Sequence, residues 1–247
     1  MNIRNNNFLK DFNEKFGLYI HIPFCIKKCS YCDFYSIKYN KSIKDKFLTA
    51  LKKEILLYSK EIDSKIETIY FGGGTPSLLS IEDINELLKL IKNYFSIIPN
   101  AEVSLEANPD SLNINKIKGY KESGINRLSI GVQSFADEEL ERLGRLHDGE
   151  RAENIIKHVD NVFSNYNFDL IFAIPEQNYE EWKNNLNKVI EINPPHLSLY
   201  NLQIEKGTLI NKKIKNGELN KVSQKIDARM YKKAIKEVAK INLKQYE

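Results

Sequence analysis

The sequence predicts an α/β fold in which a parallel sheet and its helices wind into a partial (β/α)6 barrel. Three observations predict it. Six short apolar runs recur along the chain, stretches of helical spacing separate them, and Gly, Pro and Asn stand at many of the joints. Periodicity alone fits a doubly wound sheet as well. The right-handed crossover between successive parallel strands is what favours curling toward a barrel, here with six units rather than eight.

The strands are expected at Leu18–Pro23, Thr68–Phe71, Glu102–Glu106, Leu128–Val132, Phe168–Ile174 and Leu197–Leu202, each rich in Ile, Val, Leu and aromatics. The intervening helices are expected at Ile43–Tyr58, Ile81–Phe95, Ile114–Glu122, Asp137–Leu143, Arg151–Phe163 and Trp182–Ile192. Turn residues at Gly72–Pro76, Asn108–Pro109 and Pro194–Pro195 punctuate them. After Gly207 the pattern changes. A polar, Lys-rich stretch from Asn211 to Lys221 leads into a helix near Val222–Ile241 that carries Met230, Tyr231, Ile235 and Val238 and needs a partner surface. The expected organisation is a polar N-terminal segment over 1–17, a core over 18–208, and the beginning of a C-terminal helical region over 209–247.

The 247 residues suffice for one large domain with a real core, and the composition is that of a globular chain. Net charge is +4, but Lys and Glu alternate along the helices. That reads as a solvated surface with a weak preference for anionic ligands and no nucleic-acid footprint. Residues Met1 to Gly17 carry Asp11 and Glu14 and lack the apolar stretch of a signal peptide. No apolar run is long enough to cross a bilayer. The three cysteines all lie between residues 25 and 32. Such a cluster makes a poor disulfide framework and suits a reducing compartment, so a cytoplasmic location is expected.

Cys25, Cys29 and Cys32 follow directly on the first strand. Three thiolates on one tight loop can grip one face of a cubane [4Fe-4S] cluster and leave one iron free for an exogenous ligand. The competing reading is structural zinc, which wants four ligands. His21 is the fourth candidate nearby, and it lies within a strand.

The spacing Cx3CxxC with aromatic Tyr31 before the last cysteine resembles the signature of radical S-adenosylmethionine (SAM) proteins. The wider context resembles one branch, the oxygen-independent coproporphyrinogen III oxidase and HemW heme-chaperone family. The matching segments are LYIHIPFCIKKCSYCDFYS, YFGGGTPSLL, SLEANPD, GINRLSIGVQSF, LGRLHD, FDLIFAIP and LSLYNLQIEKGT, in that order over most of residues 18–208. The resemblance implies a radical SAM core over 18–208 with the cluster on Cys25, Cys29 and Cys32. It also implies one-electron cleavage of SAM, a low-potential electron donor, and heme or a porphyrin(ogen) as a further ligand.

Residue by residue, the resemblance gives Gly73, Gly74 and Thr75 the SAM amino group, Glu106 the ribose, and Tyr19 the methionine end. Gln133, Arg145 and Asp169, with Tyr31, Gly74 and Thr75, match positions described for a second SAM. Independently of family, three successive glycines let a ligand approach the backbone, although a tight turn explains them nearly as well. Glu106, Asn108, Gln133, Asp169 and Gln203 lie in or just after apolar strands. Together they point to one site at the carboxyl edge of the sheet; for Asp169 alone a helix-capping role is the plainer reading. His147 is expected as a surface-loop histidine or a proton carrier, and Asp148 as a helix cap.

Oxidases of the family resemble Cx3CxxCxC, with a further cysteine two positions on. Here that position is Phe34. The departure points to the HemW-type chaperone rather than the oxidase. Family members also run longer, with a C-terminal domain carrying a His-Asn heme motif, so an incomplete C-terminal region and an open site are expected here.

Overall fold

A computed structural model of the chain describes residues 15–246. The segment expected over 1–17 therefore lies outside the described residues up to residue 14, and Phe16 and Gly17 already belong to the first strand.

The elements run β1 (Phe16–Ile22), β2 (Phe24–Cys25), β3 (Ile37–Lys38), α1 (Lys41–Tyr58), β4 (Ile66–Gly73), α2 (Ile81–Tyr94), β5 (Ile97–Ala107), α3 (Ile114–Ser123), β6 (Arg127–Gln133), α4 (Asp137–Leu143), α5 (Gly149–Asp160), β7 (Tyr166–Phe172), α6 (Tyr179–Ile192), β8 (His196–Asn201), α7 (Leu209–Lys215) and α8 (Gln224–Val238). All six expected strands are present. The fifth stops at Phe172 rather than Ile174 because Ala173 turns into the left-handed region at φ 58°, which ends the ladder.

These six strands form one parallel sheet in the order β1-β4-β5-β6-β7-β8. The order never reverses. With right-handed crossovers, each helix then falls on the same face, which is the winding of a barrel and not of a doubly wound sheet. Among the described residues β1 and β8 are the two edges, so the sheet is an open arc.

The pleat sorts the two faces. Ile20, Ile69, Phe71, Leu105, Leu128, Ile130, Phe168 and Leu170 are buried in the main hydrophobic core. Their alternates, Tyr70, Ser104, Glu106, Ser129, Asn167, Asp169 and Ser198, make the other face polar. Asn167 Nδ2 binds Ser129 Oγ and Asp169 Oδ1 at 3.0 Å each, joining β6 and β7 across that face.

Local chemistry fixes the helix starts. Ser80 and Asn178 form capping boxes with Asp83 and Glu181, and Asn40, Asn113, Asp148 and Ser223 cap their helices through single side-chain bonds. The partner surface needed by the last helix is α6: Met230 is buried, and its carbonyl accepts from Trp182 Nε1 at 3.0 Å.

The stretch expected as a polar lead-in, Asn211 to Lys221, instead begins inside α7. Thr208 caps this helix, and Ile210 is fully buried in a second cluster with Leu143, Ile171, Ile174 and Leu202. The many lysines mask the spacing of Ile210 and Ile214, which is that of one helical face. Among the described residues no helix is long and apolar enough to cross a membrane.

Candidate cofactor site

The cysteine loop leaves the carboxyl end of β1 and is clipped at its base by the two-residue ladder of β2 and β3, which pairs Phe24 with Ile37 and Cys25 with Lys38. Its middle is pinned from outside. Ser30 donates from its amide to the Leu143 carbonyl at 2.9 Å and from Oγ to the Arg142 carbonyl at 2.7 Å, and its own carbonyl accepts from the Ile210 amide at 2.8 Å. The end of α4 and the start of α7 thus hold the peptide between Cys29 and Cys32.

The three thiols are half-buried and unbridged. Thr75 Oγ1 stands 3.6 Å from Cys25 Sγ, and Arg145 Nη1 stands 3.5 Å from Cys29 Sγ. Gly74 lies against the loop so closely that a Cβ would sit 2.7 Å from the Phe24 carbonyl oxygen and 3.0 Å from Cys25 Sγ. Among the described residues no three His, Cys, Asp or Glu side chains are grouped to hold a single metal ion. Both ring nitrogens of His21 are engaged, with Tyr19 Oη at 3.0 Å and the Tyr35 carbonyl at 3.2 Å. The tight four-ligand set of a zinc site is thus not assembled. Three free thiols on one loop, with a cation and a hydroxyl on their sulfurs, fit the donor set of a cluster with one open iron.

Beside the loop lies a cavity of about 590 Å³, within the usual range for small-molecule sites. Its lining includes all three cysteines and nine of the ten expected ligand contacts: Tyr31, Gly73, Gly74, Thr75, Glu106, Gln133, Arg145, Asp169 and Gln203.

Glu106 is fixed by two neighbours: Oε1 accepts from Tyr70 Oη at 2.8 Å, and Oε2 accepts from the Gly73 amide at 2.9 Å. Burial raises its pKa despite both bonds, which pull the other way. Gly73 has φ 120°, and a Cβ there would meet the His21 ring at 2.7 Å, so only glycine fits without displacement. Asp169 is pushed up to about 6, first by burial and then by the negative charge of Glu106, with the Ser198 and Asn167 hydrogen bonds opposing. It stands mid-strand on the polar face and caps no helix, which overturns the plainer reading of this residue.

Arg145 ties the parts together. Its Nη2 donates to Asn108 Oδ1 and to the Gly131 carbonyl, each at 2.6 Å. A Cβ on Gly131 would crowd Gln133 Nε2 at 2.9 Å, Asn108 Oδ1 at 3.0 Å and Arg145 Nη2 at 3.3 Å, so this glycine makes room for the guanidinium. Arg145 Nε is buried and has no hydrogen-bond partner in the protein, leaving one donor for a ligand. Gln133 ends β6 at φ 70°, just past a register shift, and still pairs with Leu170 of β7.

Of Tyr19 and His147, only the second is corrected. Tyr19 is not among the residues lining the cavity, but it borders the glycine turn: a Cβ on Gly72 would sit 2.8 Å from its ring, and its Oη is 3.0 Å from His21 Nδ1. Its ring is 56% exposed and stacks on Tyr70 with centroids 6.1 Å apart. His147 is neither a surface residue nor in the cavity. It is buried, with Nε2 3.1 Å from the Val132 carbonyl oxygen and Nδ1 3.7 Å from Asp110. Asp148 does cap α5, accepting from the Arg151 amide.

Sequence reasoning missed Tyr70, Ser129, Tyr200 and Ser30. The first three break apolar runs at alternate positions, a period-two signal that was available. Ser30 carried no such signal.

The comparisons with known proteins agree with this geometry. The family description "Radical SAM superfamily" matches residues 19–189. The chain belongs to the radical SAM superfamily. Membership implies SAM and a [4Fe-4S] cluster. The chain is 40% identical over 200 residues to the heme chaperone HemW of Haemophilus influenzae, covering 78% of this chain and 52% of that protein. It is 34% identical over 234 residues to HemW of Bacillus subtilis, covering 93% of this chain and 61% of that protein. It thus spans about half to three-fifths of the length of these curated relatives. The solved coproporphyrinogen III oxidase HemN of Escherichia coli superposes with a TM-score of 0.84 at 30% identity, over 91% of this chain and 52% of that one. The archaeal Elp3 of Methanocaldococcus infernus, at 18% identity and a TM-score of 0.54, shares the fold alone.

Proposed function

We propose that this chain is the radical SAM core of a HemW-type heme chaperone, holding its cluster on Cys25, Cys29 and Cys32 and acting in a reducing, cytoplasmic setting. The observation that carries the reading is Phe34. In family oxidases a further cysteine stands two positions after the third; here an aromatic side chain does, 65% exposed in the wall of the cavity. The curated HemW relatives, at up to 40% identity, support it further.

When bound, the cluster and SAM supply one-electron cleavage chemistry, with the electron coming from a low-potential donor. The chain's own residues bind and orient. Gly73 and Gly74 give SAM close access to the backbone, and Thr75 offers a hydroxyl. Glu106, held by Tyr70 and Gly73, is an acceptor for the ribose hydroxyls. The free Nε of Arg145 suits a carboxylate. Gln133, Asp169 and Tyr31 line the same cavity, with Arg145, Gly74 and Thr75, and these are the positions the resemblance gives to a second SAM; Gln203 lines it too. Tyr19 stands beside Gly72, next to this wall, on the side the resemblance gives to the methionine end.

The second reading, an oxygen-independent coproporphyrinogen III oxidase, is favoured by the superposition on HemN. One preparation separates them: the chain is purified without oxygen and its cluster reconstituted. Stoichiometric heme uptake without coproporphyrinogen turnover is the expected result. Turnover with 5′-deoxyadenosine formation would reverse the assignment.

A further inference from the structure

Two of the three cysteine sulfurs are joined by a continuous path of hydrogen bonds. Arg145 Nη1 lies 3.5 Å from Cys29 Sγ, and Nη2 donates to Asn108 Oδ1 at 2.6 Å. The other end of that amide carries the path on, since Asn108 Nδ2 donates to Thr75 Oγ1 at 3.1 Å. The Thr75 hydroxyl accepts this bond and keeps its own proton for Cys25 Sγ, 3.6 Å away. Arg145 and Thr75 are thus the sulfur donors, and Asn108 is the link between them.

Thr75 and Asn108 forgo an ordinary role to make this bridge. They stand at the N-caps of two short 3₁₀ turns, Pro76–Leu78 and Pro109–Ser111, and neither side chain makes a capping bond. Threonine and asparagine are favoured at caps because they usually do. The backbone of Asn108 is fixed separately: its amide donates to Ser77 Oγ at 3.2 Å, and its carbonyl accepts from Ser111 Oγ at 2.9 Å. At the far end, burial opposes the charge of Arg145, yet Tyr31, Cys29 and Asp110 hold its pKa above the ordinary value. The donor at Cys29 is therefore a full cation, in surroundings that screen it little.

Reduction of a cluster on these thiolates takes one electron from an external low-potential donor, breaks no bond and moves no proton. The reduced state carries one more negative charge, part of it on the sulfurs. Donors aimed at the sulfurs stabilise that state more than the oxidised one and so raise the reduction potential. We propose that Arg145, Asn108 and Thr75 together set the reduction potential of the cluster: Arg145 and Thr75 bond the sulfurs of Cys29 and Cys25, and Asn108 is the positioning residue that holds both. This rests on the cluster assigned to the three cysteines and holds for the chaperone and the oxidase readings alike.

The test is potentiometry of the cluster-loaded chain without SAM, followed by electron paramagnetic resonance of the reduced cluster at matched iron content. Arg145→Met is expected to make reduction about tenfold less favourable, a fall of ~59 mV for one electron, and Arg145→Lys, which keeps the cation, to recover part of it. Thr75→Val is expected to lower the potential by a smaller amount, with Thr75→Ser holding the unaltered value. Asn108→Asp touches no sulfur, but it sets a negative charge beside the guanidinium and removes the amide donor to Thr75. It is expected to lower the potential as well, whereas an asparagine with a merely structural role would leave it unchanged. Should Arg145→Met fail to hold a cluster, the Thr75 and Asn108 variants decide. Potentials equal to that of the unaltered chain in Thr75→Val and Asn108→Asp would overturn the proposal and leave the cluster assignment standing. An unaltered chain that takes up no cluster would overturn both.

Discussion

Replacing Asp169 by Asn tests the electrostatics of the cavity floor. Enclosure on the polar face of the sheet raises the carboxyl from its ordinary 3.8 to about 6, burial being the largest cause and Glu106 adding to it. The folded state therefore prefers the protonated acid. Ionisation opposes folding at every pH above the unfolded value, and the penalty grows between pH 3.8 and 6 before levelling off. At about 1.4 kcal/mol per pH unit the full penalty is about 3 kcal/mol, an upper limit because the open cavity keeps water near the carboxyl. Asn removes the charge and still offers an oxygen to Asn167 Nδ2, now 3.0 Å from Asp169 Oδ1. In urea denaturation of the chain without cluster or SAM, Asp169→Asn is expected to be neutral near pH 4 and stabilising by about 1–3 kcal/mol at pH 7.5. A stability difference that does not vary with pH would refute the reasoning, as would one that turns unfavourable above pH 6.

Two further outcomes follow from the geometry of the cysteine loop. Ser30→Ala removes the 2.7 Å bond to the Arg142 carbonyl and leaves that acceptor short of a partner, costing about 1–2 kcal/mol locally. The variant should lose iron to a chelator faster than the unaltered chain, with a melting temperature lowered by only about 2–8 °C before cluster loading and recovery in Ser30→Thr; equal iron retention would argue against the anchor. Gly74→Ala puts a Cβ 2.7 Å from a backbone oxygen and 3.0 Å from Cys25 Sγ. Overpacking of this kind costs about 1–3 kcal/mol, and SAM binding measured by calorimetry should fall at least tenfold; normal binding would show that the loop moves aside at little cost.

Much of the architecture was legible because it is encoded locally. The six strands announced themselves as apolar runs, and helix starts followed from cap residues such as Ser80 with Asp83 and Asn178 with Glu181. The helix α7 was obscured because its lysines dominate a seven-residue element and only Ile210 is buried. The strand end at Ala173 was missed because a single left-handed residue leaves no trace in hydropathy. The cofactor candidates were legible as types and much less so as geometry. Glu106, Asp169 and Gln203 do converge, whereas His147 turns into the interior.

By itself the sequence determined the order of elements, the cysteine spacing and the family, because periodicity, caps and motif spacing are short-range properties of a chain. Tertiary structure alone decided which distant groups meet. Arg145 reaches Cys29 across 116 positions, and Ser30 is held by α4 across 112 and by α7 over a longer separation still. It also decided the winding, since strand periodicity is the same whether the sheet order runs straight through or reverses. Contacts of this kind depend on how the arc of strands curls and where each side chain then projects. A local pattern of residues holds no record of that closure.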